Sequence, residues 1–169
     1  GSLKIEPNGH VRIKHPVDIS ADVTVSNGTL TVDASTGIQA GFTVEAGNDA
    51  TIDIGSDAVL SLTEPLDISA DSSLVVIGGG TLCVNGGTVD GSADIRGGTL
   101  NVKHDITADG FLKIAEQGSL VFDGSGDGRI TGGGRLQLDS TGVRLNRDLF
   151  FRIAELSSDA TADWQIGDH

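Results

Sequence analysis

The sequence is poor in the residue types that build compact helical or disulfide-linked proteins. It has no Met and no Tyr, one Cys, one Trp and three Pro, and aromatic residues make up only 4% of its 169 positions. With Cys83 as the single cysteine, an intrachain disulfide and a cysteine-rich metal site are excluded. No apolar run approaches the length of a membrane-spanning helix, so we expect no membrane insertion by this segment.

Positive charge is missing from nearly half of the chain. No Lys or Arg occurs from His15 to Ile95, whereas this stretch contains half of the Asp and Glu residues, and the net charge of the whole chain is −13. Nucleic-acid affinity comes largely from Lys and Arg that neutralise phosphates, so nucleic acid is not an expected partner. Such an acidic surface favours cations or basic partners and helps to keep a repetitive β protein soluble.

Short runs of alternating apolar and polar residues are what the sequence does contain, separated by Gly, Asn, Asp and Ser. Runs such as "TLTV", "VLSL" and "FLKI" predict short strands, and helical periodicity is nearly missing. Three near-copies, which start at "PVDISAD", "PLDISAD" and "HDITAD", define a unit of three strands with Ile19, Ile68 and Ile106 as equivalent anchors. Their separations of 49 and 38 residues are each close to twice a repeat of about 19 to 25 residues.

This period predicts an all-β fold, a right-handed parallel β-helix (β-solenoid) with three short strands per coil and about six to seven coils. Right-handed winding is favoured because the strict hexapeptide repeats of left-handed solenoids are absent. An antiparallel sandwich or barrel is the competing fold. Leu82, Leu100 and Leu120 are expected to stack in successive coils. For the coil from 66 to 84, the predicted inward residues are Leu66, Ile68, Leu74, Val76, Leu82 and Val84.

The repeat also indicates how the chain is organised. Residues 1–145 are predicted to form the coils, with an N-terminal cap near residues 1–14. Residues 146–169, which include Trp164, are predicted to be a divergent C-terminal cap or a truncated further coil. The repeat is broken across residues 34–63, which we interpret as an insertion and a place to look for function.

The sharpest local motif is "DGSGDGRITGGG", which ends at Gly134. Asp123, Ser125 and Asp127 match positions 1, 3 and 5 of a calcium loop, and Gly128 matches its sharp turn. Gly134, however, replaces the bidentate carboxylate that position 12 requires. The motif therefore predicts at most a weak Ca²⁺ site, with a Gly-rich corner between two strands as the alternative, and no other cofactor is predicted.

Carboxylates also precede the three anchor isoleucines. Asp18, Asp67 and Asp105 are predicted to line one exposed face, with carboxylates in alternate coils about 10 Å apart. The acidic half offers no basic group to assist catalysis, so turn capping and solubility are their expected roles, and the chain is predicted not to be an enzyme.

Other candidate groups give weaker patterns. Thr-x-Thr occurs only at Thr29 and Thr31, so no threonine ladder for ice binding is predicted. If a carbohydrate-active site exists, its best location is a groove among four basic residues: Lys103, Lys113, Arg129 and Arg135.

The stretches "SLVVIGGGTLCVNGGTV" and "IRGGTLNV" resemble the "L-x-V-x-GGTL-x-V-x-G" coils of bacterial autotransporter passengers and related secreted adhesins, over residues 17–145. The resemblance implies a secreted or cell-surface rod that presents loops to a host or cell-surface glycan or protein. The expected function is a non-catalytic structural or adhesive segment that acts as a stiff spacer and binding surface. The alternatives are a carbohydrate-active β-helix enzyme or tail-spike-like polysaccharide-binding protein, and a bactofilin-like filament that self-associates end to end or side by side.

Overall fold

The short alternating segments form strands that stack in parallel. The computed structural model describes residues 1–122 and 129–139, together with the backbone of four strands beyond Asp139. This part of the chain contains β-strands and no helix, and the strands pair in parallel. The chain passes in turn through three faces, which we name A, B and C, before it returns to face A one layer further along.

Face A contains the shortest strands, half of them three residues long, and is eight strands deep. Its strands are β1 (Ser2–Ile5), β4 (Asp22–Val25), β7 (Phe42–Val44), β10 (Leu66–Ile68), β13 (Gly87–Val89), β15 (Ile106–Ala108), β17 (Ile130–Thr131) and β20 (Phe151–Arg152).

Faces B and C are joined because two long strands cross the corner between them. The strands of face B are β2 (His10–Ile13), β5 (Gly28–Val32), β8 (Asp49–Ile54), β11 (Ser73–Gly78), the first halves of β14 (Ser92–Val102) and β16 (Phe111–Phe122), β18 (Arg135–Leu138) and β21 (Glu155–Ser157). Those of face C are β3 (Val17–Ile19), β6 (Thr36–Ile38), β9 (Val59–Leu62), β12 (Thr81–Val84), the second halves of β14 and β16, β19 (Gly142–Leu145) and β22 (Gln165–Ile166).

This architecture confirms the predicted β-solenoid with three strands per coil, and the stack makes about seven turns. Equivalent positions on face A are 19 to 24 residues apart in successive coils, which agrees with the repeat length read from the sequence. Right-handed winding stays a prediction.

The core is a set of aliphatic ladders that run along the inside of the stack. Leu60, Leu82, Leu100 and Leu120 face one another in four successive coils, which confirms the predicted leucine ladder. The rungs are about 4.8 Å apart, so each leucine packs on the one before and the one after. Burial of each contributes about 1.5–3 kcal/mol. The six predicted inward residues of the coil from 66 to 84 are all at most 7% exposed.

The three anchor isoleucines are not equivalent, and this part of the sequence interpretation is wrong. Ile19 lies in β3 on face C, whereas Ile68 and Ile106 lie on face A. Even on face A they differ by two positions, because Ile106 pairs with Gly87, whereas Ile68 pairs with Val89. Similar short sequences occur at different points of the coil because the same residue types suit any strand whose residues point inward, outward and inward again.

Residues 34–63 are not an insertion. They contain strands of all three faces, and these strands pair in register with the coils before and after them. The predicted N-terminal cap, residues 1–14, supplies β1 and β2 of the first coil. Strands β20, β21 and β22 of the C-terminal segment continue the three faces. The capping roles of the two segments stay predictions, and Trp164 lies outside the described residues.

One inward ladder on face A is interrupted by a glycine. Gly87 lies between Leu66 and Ile106 and lines an internal cavity of about 20 Å³. The cavity wall is made mainly of aliphatic side chains, among them Leu66, Leu82 and Leu112. A cavity that is small and apolar is expected to stay dry. The core is therefore slightly underpacked at this coil.

Candidate functional site

The predicted calcium loop lies outside the described residues, because Asp123, Ser125 and Asp127 all fall within 123–128. At the far end of the motif, the Gly134 amide donates to the Ala108 carbonyl at 2.9 Å, which places Gly134 in a tight corner against the preceding coil. Within the described part of the chain, no three or more His, Cys, Asp or Glu side chains are grouped closely enough to hold a metal ion. The calcium site stays a prediction.

Aspartates at the coil corners bind the backbone of the next coil. Oδ1 of Asp22 accepts a hydrogen bond from the Gly41 amide at 3.0 Å, and Oδ1 of Asp109 accepts one from the Gly133 amide at 2.6 Å. These bonds satisfy amides at points where the ladders are interrupted. Asp22 and Asp109 therefore cap the corners of their coils.

The predicted row of Asp18, Asp67 and Asp105 on one face is wrong. Asp18 lies on face C, Asp67 lies in β10 on face A, and Asp105 immediately precedes β15. The error follows from the alignment of the anchor isoleucines, which treated residues of face C and face A as equivalent. The structure nevertheless brings Asp67 and Asp105 to the same part of the surface.

A shallow groove crosses the outer surface where face C turns into face A, and we call it the corner groove. Four successive corners, those that lead into β10, β13, β15 and β17, contribute to it. Its lining residues are Pro65, Asp67, Asn85, Gly87, Thr88, His104, Asp105 and Arg129.

Hydrogen bonds hold several of these polar groups in place. Oδ1 of Asp67 accepts the Thr88 hydroxyl at 2.8 Å and the Thr88 amide at 3.2 Å. Oδ1 of Asp105 accepts the Arg129 amide at 2.9 Å, and Nδ2 of Asn85 donates to the Thr63 carbonyl at 2.8 Å. The groove therefore presents carboxylate, amide, hydroxyl and imidazole groups to solvent, a set that can exchange hydrogen bonds with a hydroxylated ligand.

The four basic residues proposed for a carbohydrate-active site do not share one groove. Lys113 and Arg135 belong to strands β16 and β18 on face B, whereas Arg129 precedes β17 and lines the corner groove beside face A. Lys113 forms an ion pair with Asp139 at 3.4 Å, and the Arg135 guanidinium lies 5.2 Å from the centre of the Phe111 ring. Lys103 follows the end of β14 on face C.

A row of threonines along face A is the main feature that sequence reasoning missed. Most face A strands have one outward residue between two inward ones, and register pairing places these outward residues in line. From β4 to β17 the row consists of Thr24, Thr43, Asp67, Thr88, Thr107 and Thr131, and the next register positions at its two ends are Lys4 and Arg152. We call it the threonine row. The threonine recurs in the short segments "VTV", "FTV", "GTV" and "ITA", but only the strand register shows that these threonines lie on one face.

The corresponding rows on the other two faces are mixed. On face B the central outward row is His10, Thr29, Thr51, Val75, Asp94, Lys113 and Gln137. On face C it is Asp18, Gly37, Ser61, Cys83, Asn101 and Val121. All three faces are parallel sheets of the same solenoid, so the preference of threonine for strands does not by itself explain why five of the six row positions from β4 to β17 are threonine.

Ion pairs at the surface of the first coils shift two carboxyl pKa values. Nε of Arg12 donates to Oδ2 of Asp33 at 2.5 Å, and this hydrogen bond lowers the pKa of Asp33. The pKa of Glu45 is also lowered, first by a hydrogen bond with Ser26 and then by Lys4, whose Nζ is 3.3 Å from Oε1 of Glu45. These pairs join coils one and two layers apart.

No known family model matches the chain, and neither a curated protein nor a solved structure shows detectable similarity to it. The likeness to autotransporter passengers is therefore one of architecture, a repetitive β-solenoid. Within the part of the chain that the structure describes, no helix is long and apolar enough to cross a bilayer.

Proposed function

We propose that the chain is a non-catalytic structural and adhesive β-solenoid segment of a secreted or cell-surface protein, which acts as a stiff spacer and binding surface. The observation that carries the proposal is the set of aliphatic ladders inside the described coils, interrupted on face A at Gly87. Inward residues such as Ile52, Leu74 and Leu112 are at most 1% exposed in their coils. A stack of this kind resists bending because each coil is held by both neighbours.

The distribution of polar groups supports a binding role on the outside. The corner groove and the threonine row both lie on the surface, and they extend over several coils rather than converging on one enclosed point. An enzyme site normally surrounds its substrate and excludes water from the reacting group. A long open surface instead suits a ligand that is itself extended.

The test is retention of the purified chain on an array printed with uncharged, amino-bearing and sulfated glycans and with extracellular proteins. We expect retention on at least one of these surfaces, and no release of shortened glycan products from it. An unrelated acidic protein of similar size serves as the control for non-specific charge effects. Retention on none of the surfaces, or steady release of products, would contradict the proposal.

A further inference from the structure

We propose that face A is the binding surface and that its ligand is an uncharged, extended polysaccharide, held along the stack by the threonine row and by the corner groove beside it. This inference rests on the proposed adhesive function and adds to it the surface and the class of ligand. The residues of the threonine row and of the corner groove all belong to the described part of the chain.

Hydroxyl groups in the row are available to a ligand. Within the described residues, the hydroxyls of Thr24, Thr43 and Thr107 make no hydrogen bond to the protein, whereas the Thr88 hydroxyl donates to Asp67. Thr43 is exposed, and Thr24 and Thr107 are half-buried. Each hydroxyl can both donate and accept, which is also what each hydroxyl of a sugar does.

The geometry of the row favours a linear polymer. Strands β7, β10, β13 and β15 are three residues long, so each contributes one outward side chain. The row is therefore a single file with a step of about 4.8 Å, close to the length of one sugar unit in an extended β-linked chain. A crystalline surface such as ice would need a two-dimensional array, and a charged carboxylate in the middle of it, at Asp67, would interrupt the match.

Charge selects among polysaccharides. Between Lys4 and Arg152 at its two ends the row is uncharged apart from Asp67, and the chain as a whole carries a net charge of −13, so sulfated or carboxylated glycans are repelled. The corner groove adds Asn85, His104 and Asp105 next to the row, and these groups can bind sugar hydroxyls. A neutral glycan is not repelled by the net negative charge, and its hydroxyls can bind these groups.

Affinity is expected to come from length. The described outward residues of face A include no aromatic side chain on which a sugar ring could stack. Each rung then contributes weakly, and many rungs acting on one chain give retention through effective concentration. A long or insoluble polysaccharide is therefore the appropriate probe, rather than a short oligosaccharide.

The experiment measures co-sedimentation of the protein with microcrystalline cellulose. The test variant is Thr43→Val with Thr107→Val on face A, and the matched control is Thr29→Val with Thr51→Val on face B. Valine keeps the branched shape and removes only the hydroxyl, so both proteins are expected to fold, which circular dichroism checks. We expect the association constant of the face A variant to fall about tenfold or more, because two hydrogen bonds are lost. The face B variant is expected to stay within about twofold of the original.

Three results would overturn the inference. If the array shows retention on proteins, amino-bearing glycans or sulfated glycans but not on uncharged glycans, the ligand class is wrong, whereas the adhesive function stands. If both variants lose cellulose binding equally, the surface is wrong. If the face A variant keeps its cellulose binding, the threonine row is not the binding surface. If, in addition, the original protein shapes ice crystals and the face A variant does not, the row recognises ordered water. Retention on no array surface would contradict the adhesive function itself.

Discussion

Asp67 and Thr88 occupy equivalent outward positions of two successive coils, and one carboxylate oxygen of Asp67 accepts both the hydroxyl and the backbone amide of Thr88. This pair is the point at which the threonine row and the corner groove meet. The carboxylate thus takes part in holding two coils together as well as standing at the binding surface.

Replacement of Asp67 separates these two roles. Asp67→Ala removes the acceptor of two hydrogen bonds at an exposed position, so we expect a loss of about 1 kcal/mol in the free energy of unfolding. Asp67→Asn keeps an oxygen acceptor, and its loss should be smaller. Urea unfolding measures both values. Equal losses for the two variants would show that the charge of Asp67, and not its hydrogen bonds, stabilises this contact.

Gly87 is expected to tolerate no side chain despite the cavity beside it. Its φ of 142° is in a region that L residues rarely adopt, and an added Cβ would contact the backbone oxygen of Leu66. Gly87→Ala should therefore lower the free energy of unfolding by about 2 kcal/mol or more. Gly47→Ala is the control, because Gly47 also has a positive φ, of 75°, but has open space around it. Equal losses for the two variants would refute the backbone contact.

The leucine ladder gives the largest expected loss. Leu82 is fully buried between Leu60 and Leu100, so Leu82→Ala should cost about 2–5 kcal/mol, the range for a cavity in a packed core. Val75 points outward and is half-buried, and Val75→Thr should change stability by about 0.5 kcal/mol or less. Thermal and denaturant unfolding of the two variants test this difference. Similar midpoints would mean that the ladder does not determine stability.

Acid should weaken the link between the first two coils. The folded-state pKa of Asp33 is lowered by its hydrogen bond from Arg12, so its contribution to stability is present above the ordinary carboxyl pKa of about 4 and is lost as the pH falls through the lower folded pKa. Arg12→Gln should be less stable than the original protein near neutral pH, and this difference should disappear in acid. Lys103→Gln is the charge-loss control. A difference that persists at low pH would contradict the assignment to Asp33.

Calcium provides a test of the loop from Asp123 to Gly134. If its two carboxylates and one hydroxyl bind Ca²⁺ weakly, a concentration ten times the dissociation constant should stabilise the fold by about 1.4 kcal/mol and raise the melting temperature. Asp127→Asn should reduce the increase, and a chelator should reverse it. A melting curve that is unchanged by excess Ca²⁺ would leave the segment a Gly-rich corner.

The fold could be predicted because its rule is local. Alternation shows which residues point inward, and the recurrence of Leu82, Leu100 and Leu120 within coils of similar length gives the stacking register. The alignment failed where coil length varies. The coil that leads from Thr43 to Asp67 is longer than the one that leads from Asp67 to Thr88, and the difference is absorbed in the corners. Corner lengths depend on backbone conformations that residue type alone does not specify.

The candidate surface could not be predicted for the same reason. Thr43, Thr88 and Thr107 each stand alone in a short strand, so no segment of the sequence contains the row. The row arises only when coils of unequal length are brought into register. Asp67 likewise becomes a neighbour of Thr88 through stacking, and not through any pattern within its own strand.

The short repeat between stacked positions also bears on how the chain folds. Each new coil has to close a loop of only about 20 residues onto the coil before it, so the entropy of loop closure is nearly constant along the chain. Folding can then start in any pair of well-packed coils and extend in both directions. The rate of the initial step is expected to depend on one such pair and to be almost independent of how many coils follow it.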